Sequence, residues 1–393
     1  MEYSLYLHMP FCRHRCHYCD FNTTTGKEHL IADYVGALTK EIRFATVEYS
    51  QLPVHSIYFG GGTPSIIPLK EFEIILNTIH TQFLITDDCE VSLEANPGTI
   101  HYEYLQGLKR IGFNRISIGV QSTDNFDLVR LDRIHTNGDV LKSYNAARRA
   151  GFNNINLDLI FGLPWQTFSG WENSLTRAIS LAPEHFSLYS LIIEPNTELE
   201  AWNRKGLIAQ QDQDLEGDMF ELAMALLAQS GFEHYEISNW AKNVIGSDLR
   251  CRHNLQYWQN RPYFGFGVSA HGYVEGIRTV NTPVLENYIQ KISQAELNDH
   301  QSPITPATIS FTKIDEAEQM RDFMMLGLRL VDEGVQQLRF KEYFDRSYVE
   351  VFEEEIKLLL NQGLIEWVDR SHMAMKLTRR GVLVANYVFM QFV

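Results

Sequence analysis

Short apolar runs alternate with longer amphipathic stretches along this chain of 393 residues. Runs of this length, rich in β-branched and aromatic residues, predict β-strands. Six of them follow one another, at residues 4–8, 56–59, 90–94, 115–119, 155–160 and 185–191. Between the second and third runs, apolar residues recur every three or four positions, which predicts an amphipathic helix. These residues are Leu69, Phe72, Ile75, Leu76, Ile79 and Phe83. A second amphipathic helix is predicted between the first two runs from the spacing of Tyr34, Leu38 and Ile42.

The alternation of strands and helices predicts an α/β fold built on a parallel sheet. Six strand–helix units, a (β/α)6 arrangement, fit a partial barrel or a curled open sheet, in which functional residues collect at the carboxyl ends of the strands. A further strand is predicted over residues 232–238. After about residue 300 the chain becomes helix-rich, and residues 363–381 show the helix-then-hairpin pattern of a small winged-helix module. We therefore predict two domains, residues 1–285 and 300–393.

Composition and charge exclude some classes of function for this protein. The formal net charge of -15 disfavours a nucleic-acid partner, because phosphate binding relies on clustered lysine and arginine side chains. We find no apolar run near 18 residues and no signal peptide, so we expect a cytoplasmic protein. Three of the 5 cysteines lie within eight positions, which fits reduced thiols that serve a metal better than a disulfide framework.

The cysteine trio is Cys12, Cys16 and Cys19, which follows a predicted strand and Pro10. Three thiolates can hold three irons of a 4Fe-4S cluster and leave the fourth iron open to another ligand. A zinc site completed by a histidine is the alternative, and the histidines within reach are His8, His14 and His17. A helix face of buried cysteines is disfavoured because the intervening residues are polar.

A glycine-rich stretch follows the second predicted strand at residues 60–64. Glycine lets a backbone approach a ligand closely, with its N–H and C=O groups exposed to that ligand. A simple turn is the alternative interpretation of this stretch.

The cysteine spacing, together with Tyr18, resembles the radical S-adenosylmethionine (SAM) superfamily. The resemblance implies that SAM chelates the open iron, and that Gly61, Gly62 and Thr63 correspond to a motif that holds the SAM amino group. Further positions match SAM contacts of the anaerobic coproporphyrinogen oxidase branch, and these are Tyr6, Tyr18, Glu94, Gln121, Arg133 and Asp158. Taken singly, Glu94 and Asp158 could equally be hydrogen-bonded strand-end carboxylates, and Arg133 a surface ion-pair partner.

The segment His253-Asn254-Leu255-Gln256-Tyr257-Trp258 resembles the HNxxYW signature of the heme chaperone HemW family. The resemblance covers nearly the whole chain. It implies heme as a ligand, transfer of heme to an acceptor hemoprotein such as a membrane-bound cytochrome, and a homodimer that depends on the cluster. His253 is the predicted heme ligand, with Cys251 and His271 as alternatives. A structural role for His253 in its loop remains equally open at this point.

Two alternative enzymes share this resemblance. An oxygen-independent coproporphyrinogen III oxidase is disfavoured, because only 11 residues precede Cys12 and because Asp20 and Phe21 follow Cys19 where that oxidase has a fourth cysteine. A heme-cleaving radical SAM methyltransferase is the other enzyme. A purely structural iron-sulfur protein would not need the SAM-binding set. We assign no catalytic residue.

Overall fold

The computed structural model describes residues 2–46, 52–296 and 302–393. The strands are β1 (Tyr3–Met9), β2 (Phe11–Cys12), β3 (Thr24–Thr25), β4 (Pro53–Gly61), β5 (Leu84–Ala95), β6 (Arg115–Gln121), β7 (Ile155–Phe161), β8 (His185–Ser190), β9 (Phe232–Glu236), β10 (Asn239–Lys242), β11 (Tyr263–Phe266), β12 (His271–Val274), β13 (Ile277–Asn281), β14 (Thr308–Lys313), β15 (Val335–Gln336), β16 (Ile365–Trp367) and β17 (Ala374–Leu377).

The α-helices in the described part of the chain are α1 (Ile31–Ala45), α2 (Leu69–Gln82), α3 (Tyr102–Arg110), α4 (Asn125–Arg130), α5 (Asn137–Arg149), α6 (Phe168–Ser180), α7 (Glu198–Arg204), α8 (Gln213–Gln229), α9 (Arg252–Trp258), α10 (Leu285–Gln294), α11 (Glu316–Gly327), α12 (Gln337–Phe344), α13 (Tyr348–Val351), α14 (Glu353–Asn361), α15 (Arg379–Leu383) and α16 (Ala385–Phe389). Short 3-10 helices span Glu28–Leu30, Pro64–Ile66 and Met390–Phe392.

Six neighbouring parallel strands, β1, β4, β5, β6, β7 and β8, form the centre of the main sheet. Each coincides with one of the six predicted runs, so the predicted α/β fold is confirmed. The helical periodicities are confirmed as well. Tyr34, Leu38 and Ile42 of α1 are buried in the main core, as are Phe72 and Ile75 of α2.

The sheet continues beyond the six predicted strands on both sides. Strand β11 pairs in parallel with β1, and β12, β13 and β14 follow it as antiparallel strands. On the other side β10 and β9 add antiparallel strands next to β8, and β9 lies within the run predicted at 232–238. In the described part of the chain the sheet therefore has twelve strands. The short outer strands lack the long apolar runs on which the prediction relied.

Alternation along the central strands separates an apolar exterior from a polar interior. In β4, Ile57 and Phe59 join the apolar core against the helices, while the intervening Tyr58 lines a cavity inside the curled sheet. Strand β6 repeats the pattern, because Ile116 and Ile118 are in the core and Ser117 lines the same cavity. Successive residues of a strand point to opposite faces. The sheet thus presents one polar side chain in every two to the space it encloses.

A second apolar core belongs to the C-terminal part of the chain. It extends from Met320 to Phe392 and combines α11 through α16 with a small sheet of order β15-β17-β16. The hairpin of the pattern predicted at 363–381 is formed by β16 and β17, whereas the helix that precedes it, α14, ends before this range. The domain limits 285 and 300 stay a prediction, since residue 300 lies outside the described residues and β14 pairs with β13 of the main sheet. No helix among residues 2–46, 52–296 and 302–393 is long and apolar enough to span a bilayer.

A buried carboxylate joins α1 to the outer strands. The side chain of Glu41, 1% exposed, accepts hydrogen bonds from the Gly267 amide (2.7 Å), Asn281 Nδ2 (2.6 Å), the Tyr288 hydroxyl (2.6 Å) and the Thr305 hydroxyl (3.1 Å). Burial raises the pKa of Glu41 to about 7, although the four donors oppose this shift. One carboxylate therefore provides the acceptors for four separate segments.

We predict that Glu41→Ala lowers the free energy of unfolding by about 3–5 kcal/mol, because it leaves four buried donors without an acceptor. Urea denaturation followed by circular dichroism measures the change. Glu73→Ala, on the exposed face of α2, is the control and should change stability by less than about 0.5 kcal/mol. Equal stability of the two variants would contradict the role given to Glu41.

Candidate functional site

All of the residues predicted to bind a cofactor or metal line a single cavity of about 570 Å³. It runs from the loop after β1 into the interior of the curled sheet. The predicted residues in its wall are Tyr6, Cys12, Cys16, Tyr18, Cys19, Gly61, Gly62, Thr63, Glu94, Gln121, Arg133, Asp158 and His253. The structure therefore brings together side chains that are up to 247 positions apart in the sequence.

Cys12, Cys16 and Cys19 are free thiols at the mouth of this cavity. Cys12 Sγ lies 3.2 Å from the Thr63 hydroxyl, and Arg133 Nη1 donates to Cys16 Sγ at 3.6 Å. Burial raises the pKa of Cys12, and it raises the pKa of Cys19 to about 11. Cys12 and Cys19 would therefore lose their protons on binding a metal.

The zinc alternative is not supported by the arrangement of the histidines. Within the described residues, no three His, Cys, Asp or Glu side chains converge as a single metal ion requires. His8 uses both ring nitrogens internally, toward the Tyr6 hydroxyl (3.1 Å) and the Asn22 carbonyl (2.8 Å). His14 and His17 pair with Asp132 instead. A cluster with three thiolate ligands fits this loop better, since its ligands bind separate irons.

The glycines after β4 lie directly against the cysteine loop. The Gly62 amide donates to the Met9 carbonyl and the Thr63 amide to the Phe11 carbonyl, both at 2.8 Å. A Cβ at Gly62 would lie 2.8 Å from the Phe11 carbonyl oxygen, and one at Gly61, where φ is +111°, would lie 2.7 Å from the His8 ring. Only glycine fits at both positions. The stretch is a close backbone approach and is more specific than a simple turn.

Two carboxylates face each other inside the cavity. Glu94 accepts from the Tyr58 hydroxyl (2.8 Å) and the Gly61 amide (3.1 Å), whereas Asp158 accepts from the Ser117 hydroxyl at 2.8 Å. Burial, followed by the charge of Asp158, raises the pKa of Glu94 to about 7, and burial also raises the pKa of Asp158. A ligand that brings a positive charge or hydroxyl donors would relieve this mutual repulsion.

Arg133 reaches the cavity from the segment after α4. Its Nη2 donates to the Gly119 carbonyl at 3.0 Å and contacts Asn96 Oδ1, while its buried Nε has no hydrogen bond within the described residues. Gln121, at the end of β6, has φ of 64°, an unusual backbone conformation for a residue with a side chain. Both features are typical of functional positions that a ligand completes.

Tyr6 and Tyr18 form part of the same wall. The Tyr6 ring stacks at 6.3 Å on that of Tyr58, and burial raises the pKa of Tyr6. Tyr18 packs against the apolar cluster formed by Leu131, Ile160 and neighbouring residues. Both phenols are therefore neutral and present aromatic surface with one polar atom each.

His253 of α9 is 2% exposed and fully hydrogen-bonded. Its Nδ1 lies 3.2 Å from the Ser56 hydroxyl and its Nε2 lies 2.9 Å from the Tyr257 hydroxyl, while its ring stacks on Tyr58 at 4.9 Å. Burial lowers the pKa of His253 to about 3, so the ring is neutral. Of the alternative ligands, Cys251 is buried but does not line the cavity, and His271 is exposed outside it.

Sequence reasoning missed several polar side chains in the cavity wall. These residues are Tyr58, Arg115, Ser117, Asn156, Ser187 and Tyr189. They occupy the interior positions of β4, β6, β7 and β8, at the period of two that alternates with core residues. The polar members of otherwise apolar strands were the signal that could have identified them.

Two family models match this chain. Residues 6–178 match the Radical SAM superfamily, and residues 314–384 match the HemN C-terminal domain. A Bacillus subtilis protein named "Heme chaperone HemW" is 38% identical over 390 residues, which cover 99% of this chain and 98% of that protein. A Synechocystis protein of the same name is 34% identical, with 94% and 92% covered.

Among solved structures, coproporphyrinogen III oxidase (HemN) from Escherichia coli, described as a radical SAM enzyme, superimposes with a TM-score of 0.83. The match covers 99% of this chain and 89% of the oxidase at 24% identity. At 24% identity, this structural similarity shows that the two proteins share a fold and does not show a shared activity.

We predict that Cys16→Ala removes the charge-transfer absorption of the iron-sulfur cluster, because two thiolates hold a 4Fe-4S cluster poorly. Ultraviolet-visible spectra and iron content after anaerobic reconstitution measure the loss. Cys89→Ala, which removes a buried thiol outside the cavity wall, is the matched control and should retain both signals. Full absorption in the Cys16 variant would show that the trio has another role.

Proposed function

We propose that this chain, which belongs to the heme chaperone HemW family of the Radical SAM superfamily, binds heme and transfers it to an acceptor hemoprotein. One observation supports the proposal most directly. His253, Asn254 and Tyr257 of the HNxxYW helix line the same cavity as the three cysteines. A heme site and a cluster site would thus share one enclosure.

The family implies a 4Fe-4S cluster and SAM as cofactors, and the donor set fits both. Cys12, Cys16 and Cys19 would hold three irons, since they are free thiols on one loop with Arg133 beside Cys16. A cluster held by these residues would supply the electron for reduction of SAM. This chain's own residues exclude water and set the charge around that site.

The SAM contacts that we propose are those implied by the family resemblance, and the geometry of the wall supports them. The close backbone approach at Gly61, Gly62 and Thr63 suits the SAM amino group, and the unpaired Nε of Arg133 suits its carboxylate. The remaining contacts we propose are Tyr6, Tyr18, Glu94, Gln121 and Asp158. Glu94 and Asp158 offer acceptors for hydroxyl or ammonium donors.

For heme, the geometry favours α9 as one wall of the site. Tyr257 lies edge-on to His253 at 4.9 Å, so the helix presents aromatic surface to the cavity. Ligation of iron by His253 Nε2 would replace its hydrogen bond to Tyr257. Two finer features stay predictions: a membrane-bound cytochrome as the acceptor and a homodimer that forms when the cluster is present. A cytoplasmic location also stays a prediction.

We expect Arg133→Ala to weaken SAM binding by about 10-fold to 100-fold, because a charge-assisted contact contributes about 1.5–3 kcal/mol. Isothermal titration with SAM on the reconstituted protein measures the change. Arg130→Ala, which removes an arginine that packs on Phe126 and Trp165 outside the cavity wall, is the control. Unchanged affinity in the Arg133 variant would remove this residue from the SAM site.

We expect the reconstituted protein to bind heme saturably, near one heme per chain, when the Soret band is followed during titration. His253→Ala should weaken binding and shift the Soret maximum if the imidazole ligates iron, whereas His271→Ala, at an exposed position, should leave both unchanged. Weaker binding without a spectral shift would assign His253 a packing role. Absence of saturable binding, together with turnover of coproporphyrinogen III, would favour the oxidase instead.

A further inference from the structure

Arg115 is a cation buried inside the curled sheet. It is the first residue of β6, its side chain is 2% exposed, and it lines the cavity that also contains the cysteines and His253. Burial of a guanidinium is costly unless its N–H groups find acceptors. The acceptors available to the Arg115 guanidinium therefore indicate the role of this residue.

Among the described residues, the Nε of the Arg115 guanidinium has no hydrogen-bond partner. Its closest carboxylate is that of Glu90, and the Nε to Oε2 distance of 3.9 Å is too long for a hydrogen bond. Nε is fully buried. A guanidinium has five donors in a fixed fork, and within the described residues the Nε donor of this fork lacks an acceptor.

The neighbouring carboxylates are committed to other donors. Glu90 Oε1 accepts weakly from the His253 amide (3.4 Å) and from Cys251 Sγ (3.6 Å) at the start of α9. As described above, Glu94 and Asp158 accept from Tyr58, Gly61 and Ser117. The positive charge of Arg115 thus partly balances the carboxylates of Glu90, Glu94 and Asp158. None of these three carboxylates accepts a hydrogen bond from its guanidinium.

We propose that Arg115 binds a carboxylate group of the ligand that enters this cavity. The inference rests on the proposed function, under which that carboxylate is a propionate of heme. A guanidinium fork matches a carboxylate through two parallel hydrogen bonds. Through Glu90, Arg115 is one contact away from the start of α9, so it would anchor the end of a macrocycle that packs against that helix. The SAM carboxylate is assigned to Arg133, beside Cys16.

The first test changes the ligand and leaves the protein intact. Soret titrations of the reconstituted protein should show that heme dimethyl ester, in which both carboxylates are esterified, binds about 10-fold to 100-fold more weakly than heme. Equal affinity for the two would overturn the proposal, because a carboxylate anchor must distinguish an acid from its ester.

The second test changes the protein. Arg115→Gln should lose the preference for heme over the ester, and Arg115→Lys, which keeps the charge without the fork, should retain part of it. Arg252→Gln is the matched control, since Arg252 lies on the same helix as His253 but pairs with Asp88 outside the cavity wall. Circular dichroism and the cluster spectrum check that each variant is folded and loaded.

The outcomes separate the two proposals. If the unchanged protein binds neither heme nor its ester, the proposed function fails and this inference falls with it. If heme binds but Arg115→Gln discriminates as the unchanged protein does, only the inference fails, and Arg115 is a hydrated counter-charge. A loss of SAM affinity in Arg115→Gln with unchanged heme preference would likewise overturn it, because Arg115 would then belong to the SAM site.

Discussion

The alternation of apolar and polar residues along six parallel strands is the constraint on which this site depends. Because the apolar members face the helices, the polar members enclose an interior space that must satisfy them. Serines, tyrosines and asparagine do so in pairs, as where Ser4 and Ser56 bond at 2.5 Å and where Asn156 bonds Ser117 at 2.7 Å. The interior of the sheet is therefore polar through its own side chains.

Helix α9 completes this interior and connects it to the rest of the chain. Its inner face bears His253, which bonds Ser56 of the barrel, while Trp258 at its end packs under the guanidinium of Arg329 at 4.1 Å. Arg339 of α12 also donates to the Gln259 carbonyl at 2.7 Å. The C-terminal module therefore contacts the helix that forms one wall of the site. A shift of the module would change these contacts with α9.

The charged side chains of the site lack some of the hydrogen-bond partners that bound ligands would supply. The charge of Asp158 disfavours ionisation of Glu94 in the same cavity, while the Nε groups of Arg133 and Arg115 have no hydrogen-bond partner among the described residues. Isolated, this distribution is costly, because buried charges need partners. A zwitterionic cofactor and a carboxylate-bearing ligand would supply the missing acceptors and donors.

Periodicity and motif spacing are local properties, and they predicted the six strand–helix units and the cysteine loop. The family resemblance predicted part of the set of side chains in the cavity. Sequence reasoning missed Arg115 and Tyr58, since a polar residue inside a strand has meaning only when the sheet curls around it. The tertiary structure was needed to show that both ring nitrogens of His253 are occupied and that the Arg115 Nε has no hydrogen-bond partner among the described residues. Those facts depend on distances between residues far apart in the chain, which no local pattern records.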